Sequence, residues 1–263
     1  MGERHNAVKL SRRLRAVAGM VTEGNIVCDV GCDHGFVSIY LIQKGISPKA
    51  IAMDVNEGPL RAAGEHVGEY GLTGYIETRL SDGVAALAAG EADTLICAGM
   101  GGRLIKRILE EGKEKIRQMR EMILQPQSET GMVREYLRKE GYSIIDEKMV
   151  LEEGKYYPVI KALPKAALQE VLGEKDGERL AKPDDRTRSG QKEEAGWEKV
   201  EDKYGPVLLE KRDPVLEDYL RKEHSLCMQI MENLRGNGRE TAGRQEEIAE
   251  RMRGIEAALS CYR

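Results

Sequence analysis

Aromatic side chains are scarce in this chain. They make up 5% of its 263 residues, with a single Trp and a single Phe. That argues against a surface of stacked rings of the kind that holds single-stranded nucleic acid. Charge of one sign is also lacking: 41 Lys+Arg stand against 45 Asp+Glu, a formal net charge of −4. No global field draws in a polyanion, so any RNA surface must be a local basic patch. The cysteines, Cys28, Cys32, Cys97, Cys227 and Cys261, are odd in number and form no Cys-x-x-Cys pair. Reduced, buried thiols and no metal site are expected. No segment approaches the roughly 18 apolar residues of a membrane span, and the stretch MGERHNAVKLSRRLRAVAGMV has no apolar signal core. These absences predict a soluble cytoplasmic protein with no membrane partner.

What is present alternates. Leu10, Leu14, Val17 and Ala18 fall at helical spacing within Asn6–Met20. Apolar strand-like runs follow at Ile26–Val30, Ala50–Val55, Tyr75–Leu80, Thr94–Ala98, Met122–Gln125, Tyr142–Asp146 and Tyr156–Ala162. Helical patterns fill most gaps, at Val37–Lys44, Gly58–Tyr70, Leu104–Glu111 and Gly131–Glu140. Repeated strand–helix alternation predicts an α/β fold with a doubly wound, mostly parallel sheet. The last two strands lack an intervening helix and turn through Glu152–Lys155, which predicts an antiparallel edge hairpin. Residues 1–163 therefore read as one domain. From 164 to 202 the chain is rich in Lys, Glu, Asp and Gly and reads as a polar linker. From 203 to 263 two apolar stripes, Leu216–Leu220–Cys227–Met231–Leu234 and Ile248–Met252–Ile255–Leu259, predict a coiled-coil-like antiparallel helical hairpin broken at Gly236-Asn237-Gly238.

The stretch VCDVGCDHG, Val27 to Gly35, ends the first strand and opens the next helix. A dinucleotide-binding turn would carry Gly-x-Gly-x-x-Gly and seat a pyrophosphate on the helix N-terminus. Here Asp33 stands two residues after Gly31, and a carboxylate there repels phosphate. The loop suits a ligand that lacks phosphates and carries positive charge, such as S-adenosylmethionine, with its sulfonium and ammonium. An ordinary glycine-containing strand–helix turn is the plain alternative. The other strand tips add weight. Asp54 ends the second strand 23 residues after Gly31, near the spacing of about 20 for an acid that binds ribose hydroxyls. Asp82, followed by Gly83, ends the third and could accept from an adenine amino group. CAGMGG, Cys97 to Gly102, ends the fourth with small residues that leave room for a reacting base.

The motifs LSRRL, DVGCDHG, DVNEGPL, AGMGG and ILQPQ together resemble the bacterial family that methylates N1 of adenine 22 in tRNA. The resemblance runs from Val8 to Ala162 and resumes over Tyr204–Leu220. It implies a Rossmann-like class I methyltransferase sheet with a C-terminal coiled-coil-like hairpin, S-adenosylmethionine as cofactor and tRNA as partner; of the oligomeric states, which the residues do not decide, a monomer is favoured. By matching position it implies a cofactor pocket of Asp29, Gly31, Asp33, His34, Asp54, Asn56, Asp82, Gly83 and the loop Ala98, Gly99, Met100. The linker is longer than the family's usual connection, and the second hairpin helix shares only its heptads.

N1 of adenine has an in-plane lone pair and attacks a sulfonium methyl without first losing a proton, so the chemistry demands orientation rather than a base. No Asn/Asp-Pro-Pro-aromatic motif follows the fourth strand, consistent with a ring-nitrogen target. His34 and Met100 are the candidates for a catalytic role; hydrogen bonding or packing is the plainer reading of each. Cys28 and Cys32 read as packed thiols. Arg103, Lys106 and Arg107 share a helix beside the fourth-strand loop and are candidates for RNA phosphates, as is Arg13 within the Arg12/Arg13/Arg15 cluster. A solvated helix face would show the same arginines. Methylation of another RNA or a small molecule, or a non-catalytic cofactor- or RNA-binding module, would use the same loop.

Overall fold

The structure, a computed structural model, describes residues 7–168, 196–234 and 242–263. The chain divides into two compact units, Met1–Thr187 and Arg188–Arg263.

In the first unit the elements run α1 (Arg12–Ala18), β1 (Val27–Val30), α2 (Phe36–Gln43), β2 (Ala50–Asp54), α3 (Glu57–Glu69), β3 (Ile76–Leu80), β4 (Thr94–Gly101), α4 (Gly102–Glu111), α5 (Lys113–Ile116), β5 (Glu121–Ser128), α6 (Thr130–Lys139), β6 (Ser143–Glu152) and β7 (Lys155–Leu163). One seven-stranded sheet carries them in the order β3-β2-β1-β4-β5-β7-β6. Strands β1 to β5 pair in parallel, while β7 runs antiparallel to both β5 and β6. All seven expected strands are present, and the expected hairpin turns at Glu153-Gly154.

The apolar core is split by the sheet. Cys28, Val30, Leu95 and Cys97 point to the face covered by Ile105, Ile108 and Leu109 of α4 and Val133 and Leu137 of α6. Val27, Ala52 and Ile96 point to the opposite face, under Val17 and Ala18 of α1, Ile39 and Leu41 of α2 and Ala63 and Val67 of α3. Alternation along each strand sends neighbouring residues to opposite layers. It also sends Asp29, between Cys28 and Val30, toward α2.

The element ends differ in places from the sequence expectation, and β6 runs on to Glu152 rather than ending at Asp146. Helix α1 covers Arg12–Ala18 rather than Asn6–Met20, because the Ser11 side chain accepts the Leu14 N–H and caps the helix there. Val8 and Leu10 are still buried, in non-helical chain. Strands β4 and β5 run on through Gly101 and Ser128, since the small residues of AGMG pair with the QPQS end of β5 across irregular register at Ala98, Met100 and Gly101. The short α5 was not anticipated; Ile116 in it is fully buried.

In the second unit the helices are α7 (Trp197–Tyr204), α8 (Pro206–Glu210), α9 (Pro214–Leu234) and α10 (Ala242–Leu259), closed by a short 3-10 turn at Ser260–Tyr262. The span expected as a linker, 164–202, thus has helix at its end from Trp197; residues 169–195 lie outside the described residues, as does the expected break at Gly236-Asn237-Gly238. Helices α9 and α10 pack antiparallel. Gln245 donates to the Leu234 carbonyl at 3.0 Å, Arg251 pairs with Glu223, and His224 with Glu256 at 3.2 Å. Leu216, Leu220 and Cys227 are buried on one helix and Ile248, Ile255 and Ala258 on the other. Met231, Met252 and Leu259 are only partly buried, and Ala258 takes a core place the heptad reading gave to its neighbour.

Among the described residues no helix is long and apolar enough to cross a membrane, and no cluster of His, Cys, Asp and Glu could hold a metal. All five cysteines are free thiols, four of them buried.

Candidate functional site

Where the sheet order reverses between β1 and β4, the carboxyl ends of the parallel strands open a crevice. A cavity of about 560 Å³ lies there, within the usual range of small-molecule sites, roughly 300–1,000 Å³. All eleven residues proposed as a cofactor pocket line it: Asp29, Gly31, Asp33, His34, Asp54, Asn56, Asp82, Gly83, Ala98, Gly99 and Met100. Of the four RNA candidates, Arg13 and Arg107 line it; Arg103 and Lys106 do not.

The loop after β1 owes its shape to three left-handed residues, Gly31 (φ 68°), Asp33 (φ 51°) and Gly35 (φ 72°). Glycine takes that conformation freely and aspartate tolerates it. The turn brings the Asp33 N–H within 3.3 Å of Asp54 Oδ2, while the Asn56 N–H donates to Asp54 Oδ1 at 2.9 Å. Asp54, with 7% exposure, is thus held by two backbone donors and keeps lone pairs for a ligand. Gly35 serves packing: a side chain there would meet Ala63 of α3 at 3.2 Å. Gly31 faces the Met100 side chain, whose Cε would lie 2.2 Å from an added Cβ. Met100 is therefore a cavity wall packed against the β1 loop and the core beneath α4.

Asp29 is buried and accepts from the Ser38 hydroxyl at 2.9 Å. Burial, opposed by the Ser38 hydrogen bonds, pushes its carboxyl up to about 6, and the neighbouring Asp54 charge adds to the rise. Burial likewise pushes the Cys28 and Cys32 thiols up, so both stay protonated packing groups. His34 is half exposed. Its ring stacks on Phe36, with centroids 5.7 Å apart, and lies 5.6 Å from His66, whose Nδ1 is 3.0 Å from the His34 carbonyl. The one Phe and two of the four His thus form a small ring cluster at the cavity edge.

At the tip of β3 the Ser81 hydroxyl donates to the Gly83 carbonyl at 2.9 Å and accepts the Ala86 N–H, which fixes the turn presenting Asp82. Asp82 pairs with Arg107 at 2.9 Å. At the tip of β4 Gly99 is left-handed (φ 79°). Gly102 is required for another reason: a Cβ there would lie 2.6 Å from the Ser128 carbonyl, so the chain turns into α4 hard against β5. Only part of the AGMGG glycine content therefore makes room for a ligand.

Two further residues at the site, Gln125 and Gln127, belong to the ILQPQ motif and are not among the expected site residues. Gln127 lines the cavity, and buried Gln125 lies behind it, bonded to Arg13 and to Gly99. An amide inside the apolar run MILQP was the available signal. Val55 and Leu104, both exposed apolar residues on the cavity wall, were also passed over.

The donor set suits S-adenosylmethionine. Four carboxylates, Asp29, Asp33, Asp54 and Asp82, face one cavity. They match a ligand with two positive centres and hydroxyl and amino donors, and they oppose a pyrophosphate.

Comparison with known proteins gives the same answer. Residues 10–160 match the family model described as "Methyltransferase domain". A Bacillus subtilis tRNA (adenine(22)-N(1))-methyltransferase is 40% identical over 157 residues, covering 60% of this chain and 66% of that protein; the aligned stretch thus spans just under two thirds of the relative. The solved Bacillus subtilis m1A22 tRNA methyltransferase superposes with a TM-score of 0.74 at 29% identity, over 95% of this chain and 99% of that one. A Streptococcus pneumoniae protein solved in complex with S-adenosyl-L-methionine gives a TM-score of 0.75 at 29% identity, over 95% and 100% of the two chains.

Proposed function

The chain belongs to the methyltransferase-domain family, and from that premise we propose that it transfers the methyl group of S-adenosylmethionine to N1 of adenine 22 in tRNA, in the cytoplasm. The observation that carries this reading is the convergence of four carboxylates and the Ala98–Met100 loop on one cavity at the sheet's reversal point. The whole-length likeness to the Bacillus subtilis tRNA methyltransferase supports the substrate.

When bound, S-adenosylmethionine supplies an electrophilic methyl on a sulfonium. The chain's own residues then act as holders. Asp54 accepts from ribose hydroxyls, Asp82 from the adenine amino group, and Asp29 and Asp33 balance the cationic end. Adenine N1 attacks with a lone pair it already has, so no side chain must remove a proton, and His34 is not required as a base. Gly99 and Met100 form the floor over which the target base is oriented in line with the methyl–sulfur bond. The target adenine must leave its stack to reach that floor.

The test is incubation with methyl-labelled S-adenosylmethionine and unmodified tRNA, followed by mapping of the labelled nucleotide. Label at N1 of adenine 22 is expected. Label elsewhere in tRNA would keep the enzyme class and change the target; no label in any RNA would overturn the reading.

A further inference from the structure

Gln125 stands fully buried among Met122, Ile123 and Leu124 on β5. An apolar residue would fill that space, and a buried amide is costly unless its polar atoms are bonded. Its bonds are specific. Oε1 accepts from Arg13 Nη1 at 2.6 Å and from the Gly99 N–H at 3.1 Å; Nε2 donates to the Pro126 carbonyl at 3.2 Å. Both partners of Oε1 are cavity-wall groups.

Arg13 is delivered to this point by two further contacts. The Arg12 N–H, at the start of α1, donates to Glu152 Oε1 at 2.6 Å, which latches the helix to the β6–β7 hairpin. The Arg13 guanidinium lies over the Tyr157 ring of β7, 5.4 Å from its centroid. Arg107, Arg103 and Lys106 each pair with a carboxylate, Asp82, Glu129 and Glu110 respectively. Among the described residues Arg13 has none. Its anchor is a neutral amide, which orients a guanidinium without cancelling its charge.

We propose that Gln125 is a positioning residue: it holds the Gly99 turn and the Arg13 guanidinium in one unit, so that Arg13 presents its uncancelled charge to a backbone phosphate of the nucleotide being methylated. This rests on the methyltransferase reading above. The planar donor fork suits phosphate oxygens, and Gln125 takes only one of its five N–H groups.

The neutrality of the anchor makes the proposal testable on the full chain. Gln125→Leu removes both bonds, and kcat/KM for tRNA should fall about 10- to 100-fold, while affinity for S-adenosylhomocysteine by calorimetry stays within about twofold. Gln125→Glu keeps an acceptor for both N–H groups but neutralises Arg13. It should recover most of the kcat lost in Gln125→Leu while the KM for tRNA stays raised. Arg13→Ala should raise that KM and reduce the log–log salt slope of tRNA binding by about 0.7 to 0.9. Equal kcat and KM in Gln125→Leu and Gln125→Glu would mean a merely structural amide and overturn the proposal, as would an unchanged salt slope in Arg13→Ala. Should Gln125→Leu not fold, the Gln125→Glu kcat-against-KM split and the Arg13→Ala slope decide alone. A wild-type protein that methylates no RNA overturns the functional reading and this proposal with it; active wild type with unaffected variants overturns only the proposal.

Discussion

Asp29 illustrates how far a single position can be read. Its acid at a strand end was visible, but its environment depends on which face β1 turns toward α2, and that is a tertiary fact. Buried there, the carboxyl rises from its ordinary 3.8 to about 6. The native state then binds a proton more tightly than the unfolded chain, so Asp29 favours folding below about pH 4, and that contribution is lost as pH rises to about 6. Asp29→Asn, still able to accept from Ser38, should therefore gain stability relative to wild type between about pH 4 and 7, as followed by thermal melts. A cationic ligand prefers the ionised carboxylate. Affinity for S-adenosylmethionine should rise with pH through about 6 and level off above it, and Asp29→Asn should flatten that rise in calorimetric titrations. At Asp54 the sequence position alone was informative, because an acid at the tip of a parallel strand has few places to point. Asp54→Ala should weaken S-adenosylmethionine binding by about 1.5–3 kcal/mol per charge-assisted bond removed; unchanged affinity in a folded variant would remove Asp54 from the site. Gly31→Val should also abolish binding, though the reason differs from the close ligand approach that the motif suggests. The position is left-handed, and a side chain would displace Met100 into the cavity. The Asp33 conformation, the Met100 contact and the Gln125–Arg13 bond leave no trace in residue spacing, since each depends on loops from different strands meeting.

At the scale of elements, apolar runs marked every strand and helical spacing every main helix of the first unit, because the central strands are buried on both faces and each helix turns one apolar face to the sheet. These patterns misplaced ends where polar or small residues continue a strand: AGMG and QPQS pair through irregular register that no alternation announces. Helix α4 shows the same division. Its apolar face, Ile105, Ile108 and Leu109, was legible, as were Arg103, Lys106 and Arg107 as a cationic group. The structure adds that each cation sits in an exposed ion pair. Such pairs are worth only about 0–1 kcal/mol, so exchange of a carboxylate for an RNA phosphate costs little. Neutralising all three should weaken tRNA binding and reduce its log–log salt slope by about 0.7 to 0.9 for each phosphate that no longer meets a cation. Affinity for S-adenosylhomocysteine should change little, except through release of Asp82. An unchanged slope in filter-binding titrations would place the RNA surface on another face.

For the whole molecule, the composition changes after Leu163, and the chain divides into a sheet unit and a helical unit. Helix α7 begins at Trp197, inside a stretch whose charge content read as linker, because Val200 and Tyr204 supply a buried face that three scattered apolar residues in eight, Trp197 included, do not advertise. Every carboxylate of the candidate cofactor site precedes Leu163, and the residues of both core clusters that flank the sheet lie within the first unit. We therefore expect a chain ending at Thr187 to fold and to bind S-adenosylmethionine with an affinity near that of the full chain. Helices α9 and α10, 21 and 18 residues long, form an antiparallel pair with an apolar seam and charged outer faces. Their expected contribution is to hold tRNA rather than to shape the cofactor cavity. Truncation should then raise the KM for tRNA while the melting temperature of the remaining unit and its S-adenosylhomocysteine affinity are maintained. A truncated chain that melts well below the full-length protein would assign the second unit to structural support. A stable truncated chain with full tRNA methylation would show that the helical pair serves neither purpose.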